Sequence, residues 1–474
     1  MPDDPYSEVP YLTVPMAQTH PDRLASVATL FGMTPAPVTA CRVLEIGGGN
    51  GGNLIPMAYF LPGSRFTCID LAQEAVAEGR RAAAELSLPN LELIAMDLRE
   101  IGPTMGEFDY IIAHGLYSWV PEDVRGRLLA VCRERLAPQG IACISYNSLP
   151  GRAVPNMLRE MIVYHVRDIA DSRERIEQAR ALLRMLREAQ SITRGWHPMV
   201  GEEVERMLTV DACLFLHDDL APINDAFYFR DFAAHAARHR LQYLGDAEPH
   251  LMFESGNTLD GLAGNVLDYE QYLDFLYFRR FRQSLLCREE VRIERPVGPE
   301  HMDRFLFSSP AWQLEGPTDG LDPYSIPGGQ PALARMAASL RDVYPLPVAF
   351  DGLLEHFADR AVLREILFAW IRSGFARFHV YGLAPRESIS PRPRASRLAR
   401  WETSRSGVVT YPSHTVLKLD GIVRALIELL DGTRDFDDIV TRLSLTEGAP
   451  PASEFRARLP KILRHMARTG LLEG

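Results

Sequence analysis

The densest chemistry in the 474-residue sequence lies at 43–53, VLEIGGGNGGN, where Glu45, Gly47, Gly49 and Gly51 form an E-x-G-x-G-x-G pattern. Glycines at this spacing let a backbone turn sharply and approach a ligand closely. The helix-like NLIPMAYFL that follows offers free N–H groups at its start. Asp70 stands 23 residues after Gly47 at the end of a second apolar run, where a carboxylate can accept both hydroxyls of a ribose. Taken alone, Asp70 also suits a cap of the next helix. Asp97 ends a third run, placed for an adenine amino group. The loop lacks the GxxxxGK(S/T) of a phosphate binder, and Glu45 beside it would repel a pyrophosphate while suiting an amine.

The elements that must hold these residues alternate strand and helix from Arg42. RVLEI, RFTCID, LELIAMD, FDYIIAH and GIACISYN read as strands, separated by helical stretches, the last of them near 121–135. That rhythm means parallel βαβ units, and runs such as YIIA are apolar on both faces, as strands covered by helices on both sides must be. The fold class expected is α/β, Rossmann-like, with a helical insertion and smaller α+β winged-helix-like regions toward the C-terminus. Residues 1–39 read as an extended arm plus a short helix, with Thr19 as its cap and Pro21 in its first turn. Residues 40–297 form the α/β domain, with a helical insertion at 152–226 and two more strands, at 242–245 and in EEVRIER at 289–295. A middle domain at 298–390 and a C-terminal module at 391–474 follow, with PRPRASRLAR at 391–400 as a linker. An open sheet of this kind binds its ligand beyond the carboxyl ends of its strands. S-Adenosylmethionine, with an amine, a sulfonium and no phosphate, matches the ligand the loop describes.

Composition narrows the class. Hydrophobic residues make 46% and charged residues 24%, ordinary for a folded chain. The net charge of −11 argues against a general nucleic-acid binder, which needs a basic surface. No apolar run reaches membrane-spanning length, so no membrane insertion is expected. Six cysteines without a CxxC pair suggest reduced thiols and a cytoplasmic setting, and the acidic start lacks the basic region of a secretory signal. His235 and His239 are four apart on a helix, but HAARH lacks the glutamate of HExxH and no third ligand is evident, so no metal is expected.

The sheet motifs resemble those of a class I S-adenosylmethionine-dependent methyltransferase. More narrowly, THPDRLA at 19–25, GGNLIPMA at 51–58, HGLYSWVP at 114–121 and ISYNSLPG at 144–151 resemble bacterial methyltransferases with an attached regulatory domain, among them rickettsial-type protein-lysine methyltransferases. LFLHDDLAPINDAFYFRDF at 214–232 and YLDFLYFRRFRQSLLCR at 272–288 extend the similarity, which is specific to about residue 290 and diffuse afterwards. Gly48-Gly49-Asn50 departs from the Cys-Ala-Ser of many relatives but keeps small residues. The resemblance implies cofactor binding by Glu45, Gly47, Gly49, Gly51, Asn53, Asp70, Leu71 and Asp97, with Leu98 flanking the adenine. It also implies that His114 and Gly115 lie where the methyl group points, and that Thr19, His20 and Arg23 close over the cofactor. S-Adenosylhomocysteine would be the product.

The sulfonium is a built-in electrophile, so the protein need only align an incoming lone pair and exclude water. A lysine amine must first lose its proton from a pKa near 10.4, which an apolar, aromatic channel lowers. Tyr117, Trp119, Tyr146 and Asn147 are the candidates to line that channel, with Tyr117 and Trp119 equally compatible with core packing. His114 could act as a base for a less basic nucleophile.

The C-terminal LLDGTRDFDDIVTRL and the helix ending ARTGLL resemble peptide-binding winged helices of the PqqD-like kind. Packing or dimerisation is slightly favoured for this module, so a homodimer stays open. The sequence thus points to methyl transfer to a protein or peptide, with lysine as the leading acceptor. Its rivals are a small-molecule or natural-product methyltransferase and an inactive cofactor-binding scaffold.

Overall fold

The computed structural model describes residues 13–193, 198–253, 259, 264–309, 330–357, 359–382 and 388–473. Most of the expected arm, residues 1–12, lies outside them.

The first α-helix described, α1 (Pro21–Leu30), starts on Pro21 and is capped by His20, not Thr19: the His20 Nδ1 accepts the Asp22 N–H at 3.2 Å. Strand β1 (Arg42–Ile46) follows, then α2 (Leu54–Phe60), β2 (Arg65–Asp70), α3 (Gln73–Leu86), β3 (Leu91–Ala95), β4 (Phe108–Ala113), α4 (Glu122–Arg135) and β5 (Leu136–Ser148). Three longer helices come next, α5 (Ala153–His165), α6 (Ser172–Thr193) and α7 (Pro198–Thr209). The sheet is completed by β6 (Ala226–Phe227), α8 (Phe229–Arg238), β7 (Leu241–Asp246), α9 (Val266–Tyr277) and β8 (Phe281–Arg288). The strand order is β3-β2-β1-β4-β5-β8-β7, with β6 added beside the end of β5. β8 runs antiparallel to both of its neighbours; the other pairs are parallel. The register sets Glu45 between Cys68 and Ile112, which brings the carboxyl ends of β1, β2 and β4 level.

Each face of the sheet has its own core. Val43, Phe66, Tyr110, Ile112 and Cys143 pack under α1, α2 and α3. Leu44, Ile46, Ile111, Ile144 and Tyr146 pack under α4 and α8. α5 to α7 bury Leu158, Ile162, Leu183, Val204 and Met207 in a core of their own.

The last strand corrects the sequence expectation. EEVRIER is turn and coil, and the strand is FRQSLLCR just before it. Leu285, Leu286 and Cys287 are fully buried, whereas Glu289 and Glu290 pair with Arg240 and Arg133 at the surface. Arg282, fully buried on β8, binds Asp274 at 2.8–3.0 Å and the Glu270 carboxylate at 3.0 Å, both on α9. Such a charge is tolerated in a core only with partners of this quality.

Residues 299–379 add β9 (Leu306–Ser308), α10 (Gln330–Val343), β10 (Val348–Ala349), α11 (Phe350–Leu354), α12 (Arg360–Arg372) and β11 (Arg377–His379), with the strands ordered β10-β9-β11. Their core, including Phe307, Ile366 and Phe378, is continuous with the one under α1. β11 is tied to α1 by Asp22, whose carboxylate accepts His379 Nδ1 at 2.7 Å and the Val380 and Tyr381 N–H groups at 3.0 and 2.8 Å.

The stretch expected as a linker instead carries α13 (Arg397–Thr403), capped by Ser396, with Leu398 and Ala399 buried and Trp401 donating to Glu85 of α3 at 2.8 Å. A hairpin of β12 (Val408–Thr410) and β13 (Val416–Lys418) and helices α14 (Gly421–Leu429), α15 (Phe436–Leu443) and α16 (Ala452–Arg468) complete this module around a separate core. Among the described residues no helix is long and apolar enough to cross a membrane.

Candidate active site

The loop after β1 is folded by the residues that make it small. Gly49 has φ +56° and donates its N–H to Asp70 Oδ2 at 2.8 Å. A Cβ at Gly48 would stand 2.6 Å from Cys68 Sγ and 2.9 Å from Glu45 Oε2, so the loop lies flat on those two side chains. The Thr13 hydroxyl donates to Asn50 Oδ1, which draws the N-terminal arm across this loop.

Glu45 is buried beneath it. Its Oε1 accepts Asn53 Nδ2 at 2.7 Å, while Oε2 is buried with no partner among the described residues. Burial raises its pKa to about 7, the Asn53 bond opposing this and the Asp70 charge adding to it. A buried carboxylate oxygen without a partner is costly to retain. An ammonium group reaching the loop would satisfy it, so these residues fit the amine end of S-adenosylmethionine.

Asn53 gathers three chain segments. Its Oδ1 accepts the Met16 N–H at 2.9 Å and faces His414 Nε2 at 2.8 Å; its Nδ2 also donates to Thr19 Oγ1 at 3.0 Å. His20 lies beside the His414 ring, with centroids 5.4 Å apart. His414 sits in the turn between β12 and β13, a hairpin the sequence reading missed. The only signal for it was a Pro-Ser-His-Thr turn between two β-branched runs.

Asp70 uses both carboxylate oxygens on backbone N–H groups, Gly49 and Ala72, each at 2.8 Å. It therefore braces the loop and the start of α3, and its remaining lone pairs are free for hydroxyls. Leu71 beside it is 69% exposed, an apolar face offered to a ring. Asp97 is held by the Arg99 N–H and guanidinium, which keep its carboxyl below the usual range, and Leu98 is buried behind it.

At the end of β4, Gly115 donates to Ser145 Oγ at 2.7 Å, and space opens where its side chain would be. His114 faces Gln283 at 3.4 Å and the Phe281 ring at 5.7 Å, both on β8. Burial lowers its pKa to about 4, so the imidazole is neutral at pH 7. Asn147 on β5 donates to Asn224 Oδ1 at 2.6 Å, and Trp119 Nε1 is buried without a partner among the described residues.

Three expected site residues are not brought to this cluster. Tyr146 shares the opposite face of the sheet with Ile144 and stacks on Phe232 at 4.2 Å, its hydroxyl on Ser284. Tyr117 joins the same aromatic cluster, and its hydroxyl is 2.7 Å from His235 Nδ1. Strand alternation is the reason: Ser145 and Asn147 point to the His114 side and Tyr146 away from it. Arg23 faces cavities shared with Arg377 and, at one end, with Glu248, beyond β7.

Three protein-family models match the chain. They are a methyltransferase domain over residues 43–140, a predicted methyltransferase regulatory domain over 211–288, and the PKMT C-terminal winged helix domain over 391–447. The uncharacterized protein RP789 of Rickettsia prowazekii is 36% identical over 309 residues, 64% of this chain. The chain spans 56% of RP789. RP028 of the same organism is 32% identical over 240 residues, covering 50% of this chain and 96% of RP028. The structure of PKMT2 from Rickettsia typhi in complex with AdoHcy superposes with a TM-score of 0.82 at 25% identity, over 98% of this chain and 100% of that one.

Proposed function

Because the chain belongs to the rickettsial-type class I S-adenosylmethionine-dependent methyltransferases with a methyltransferase regulatory domain, we propose that it methylates a protein or peptide side chain, the lysine ε-amine first among them. The observation that carries this reading is the end-to-end likeness to PKMT2, which includes the insertion, the middle segment and the winged helix as well as the sheet.

When bound, S-adenosylmethionine supplies an electrophilic methyl group. The chain's own residues do the rest. Glu45 would hold the amine through Oε2, with Asn53 fixing the carboxylate. Asp70 would accept the ribose hydroxyls, and Leu71 and Leu98 would flank the adenine, with Asp97 at its amino group. The glycine loop, including Gly47 and Gly51, lets the backbone lie close enough for these contacts.

The acceptor would approach over Gly115, between His114, Phe281 and Trp119. Neutral His114 cannot take the proton of a lysine ammonium. Its pKa, lowered by burial to about 4, lies far below that of an amine, so the transfer would run uphill. It can accept a hydrogen bond from an amine already deprotonated, and so aim the lone pair. Proton loss is left to desolvation against the Phe281 and Trp119 rings.

Incubation with methyl-labelled cofactor and candidate proteins, followed by acid hydrolysis, tests the proposal. Label recovered as N-methyllysine is the expected result. Label confined to small molecules, or none transferred, would refute it.

A further inference from the structure

Where α1, the turn after β7 and β11 meet, two arginines face each other without partners. Arg23 is 7% exposed, and neither it nor Arg377 makes a side-chain hydrogen bond or ion pair among the described residues. Both line a cavity of about 150 Å³ that Glu248, His250, Gly374 and Phe378 close. Both also line a smaller space on the other side, walled by His20 and His379.

Two nearby carboxylates, Glu248 and Asp22, favour the Arg23 charge, but neither bonds to an arginine of the pair. Asp22 is spent on His379 and on two backbone N–H groups of the strand end. Glu248 is close enough to favour the charged form of Arg23 but lies 3.6 Å from His250 and forms no ion pair with either arginine. Burial and the neighbouring Arg377 both work against the Arg23 charge. A guanidinium offers five donors and cannot shed its proton, so a buried one without an acceptor calls for one from outside.

The larger cavity lies away from the cofactor loop, whereas the smaller space reaches Ser413 and Thr415 on either side of His414. The cavity rim follows β7 at the sheet edge, and β4, β5 and β8 intervene between it and the loop after β1. We infer that the cavity between Arg23 and Arg377 binds a small oxyanion, a carboxylate or phosphate group, which bridges the two guanidinium ions and pins the middle segment onto α1. The planar fork of arginine suits such a group in bidentate fashion. The site itself does not depend on which acceptor is methylated.

Thermal unfolding of the full chain, titrated with inorganic phosphate and separately with acetate against chloride at the same ionic strength, reads this out. The wild type is expected to show a saturable rise in Tm with at least one of the two, the responding ion identifying the chemistry. Arg23→Gln and Arg377→Gln should each weaken that response about tenfold or more, the loss expected for a charge-assisted hydrogen bond. Arg377→Gln should leave calorimetric affinity for S-adenosylhomocysteine within about twofold of wild type, which separates this site from the cofactor reading. The inference is overturned if neither ion gives a saturable rise, or if both variants respond like wild type.

Discussion

The His414 ring, 361 residues beyond Asn53 in sequence, stands with Nε2 2.8 Å from Asn53 Oδ1, and Asn53 Nδ2 donates to Glu45 Oε1 at 2.7 Å. Asn53 Oδ1 can only accept, so the neutral imidazole donates from Nε2; burial keeps His414 well below the ordinary pKa. The C-terminal hairpin thereby helps to set the carboxylate that faces the glycine loop.

His414→Ala should loosen Asn53 and weaken cofactor affinity by roughly 2- to 10-fold, the equivalent of one net hydrogen bond of about 0.5–1.5 kcal/mol. Calorimetry with S-adenosylhomocysteine checks this. Unchanged affinity would mean that the hairpin only packs beside the loop.

Glu45 makes binding depend on pH. Only the carboxylate form pairs with an ammonium, so affinity should rise as pH increases through about 7. Glu45→Gln should lose that rise and bind about 10- to 100-fold more weakly at pH 7.5, as for a lost charge-assisted bond. In the free protein the sign is opposite. A carboxyl with a raised pKa contributes stability that is whole below the ordinary 4.5 and lost as pH climbs through about 7. The wild type without ligand should therefore lose more Tm between pH 4.5 and 8 than Glu45→Gln does.

If His114 only orients a neutral amine, kcat/KM for a lysine peptide should climb steadily between pH 6 and 9, following the free-amine fraction. An inflection between pH 5.5 and 7 that vanishes in His114→Asn would assign His114 a proton-transfer role instead.

Tyr117→Phe separates packing from chemistry. Its hydroxyl meets His235 in an aromatic core, so the variant should lose about 1 kcal/mol of stability, read as Tm, with cofactor affinity unchanged. A fall in kcat without a change in Tm would return Tyr117 to the acceptor channel.

What was legible in the sequence was local. The central strands β1 and β4 are nearly continuous apolar runs, and the Glu45–Asp70 pair follows from β1 and β2 lying side by side. β8 was hidden by Arg282, whose buried partners Asp274 and Glu270 sit on the preceding helix, while EEVRIER alternated without joining the sheet. The opposite faces of Tyr146 and Asn147 were available from strand alternation alone. No spacing rule brings His414 to Asn53 or Arg377 to Arg23. Those meetings exist only once separate segments have docked.

The most direct test of the account is a calorimetric titration of S-adenosylhomocysteine into wild type and Asp70→Ala. One site per chain is predicted, weakened in the variant by about 1–3 kcal/mol, because Asp70 both braces Gly49 and would receive the ribose hydroxyls. A wild type that gives no binding heat across several temperatures, or a variant that binds as tightly, would contradict it.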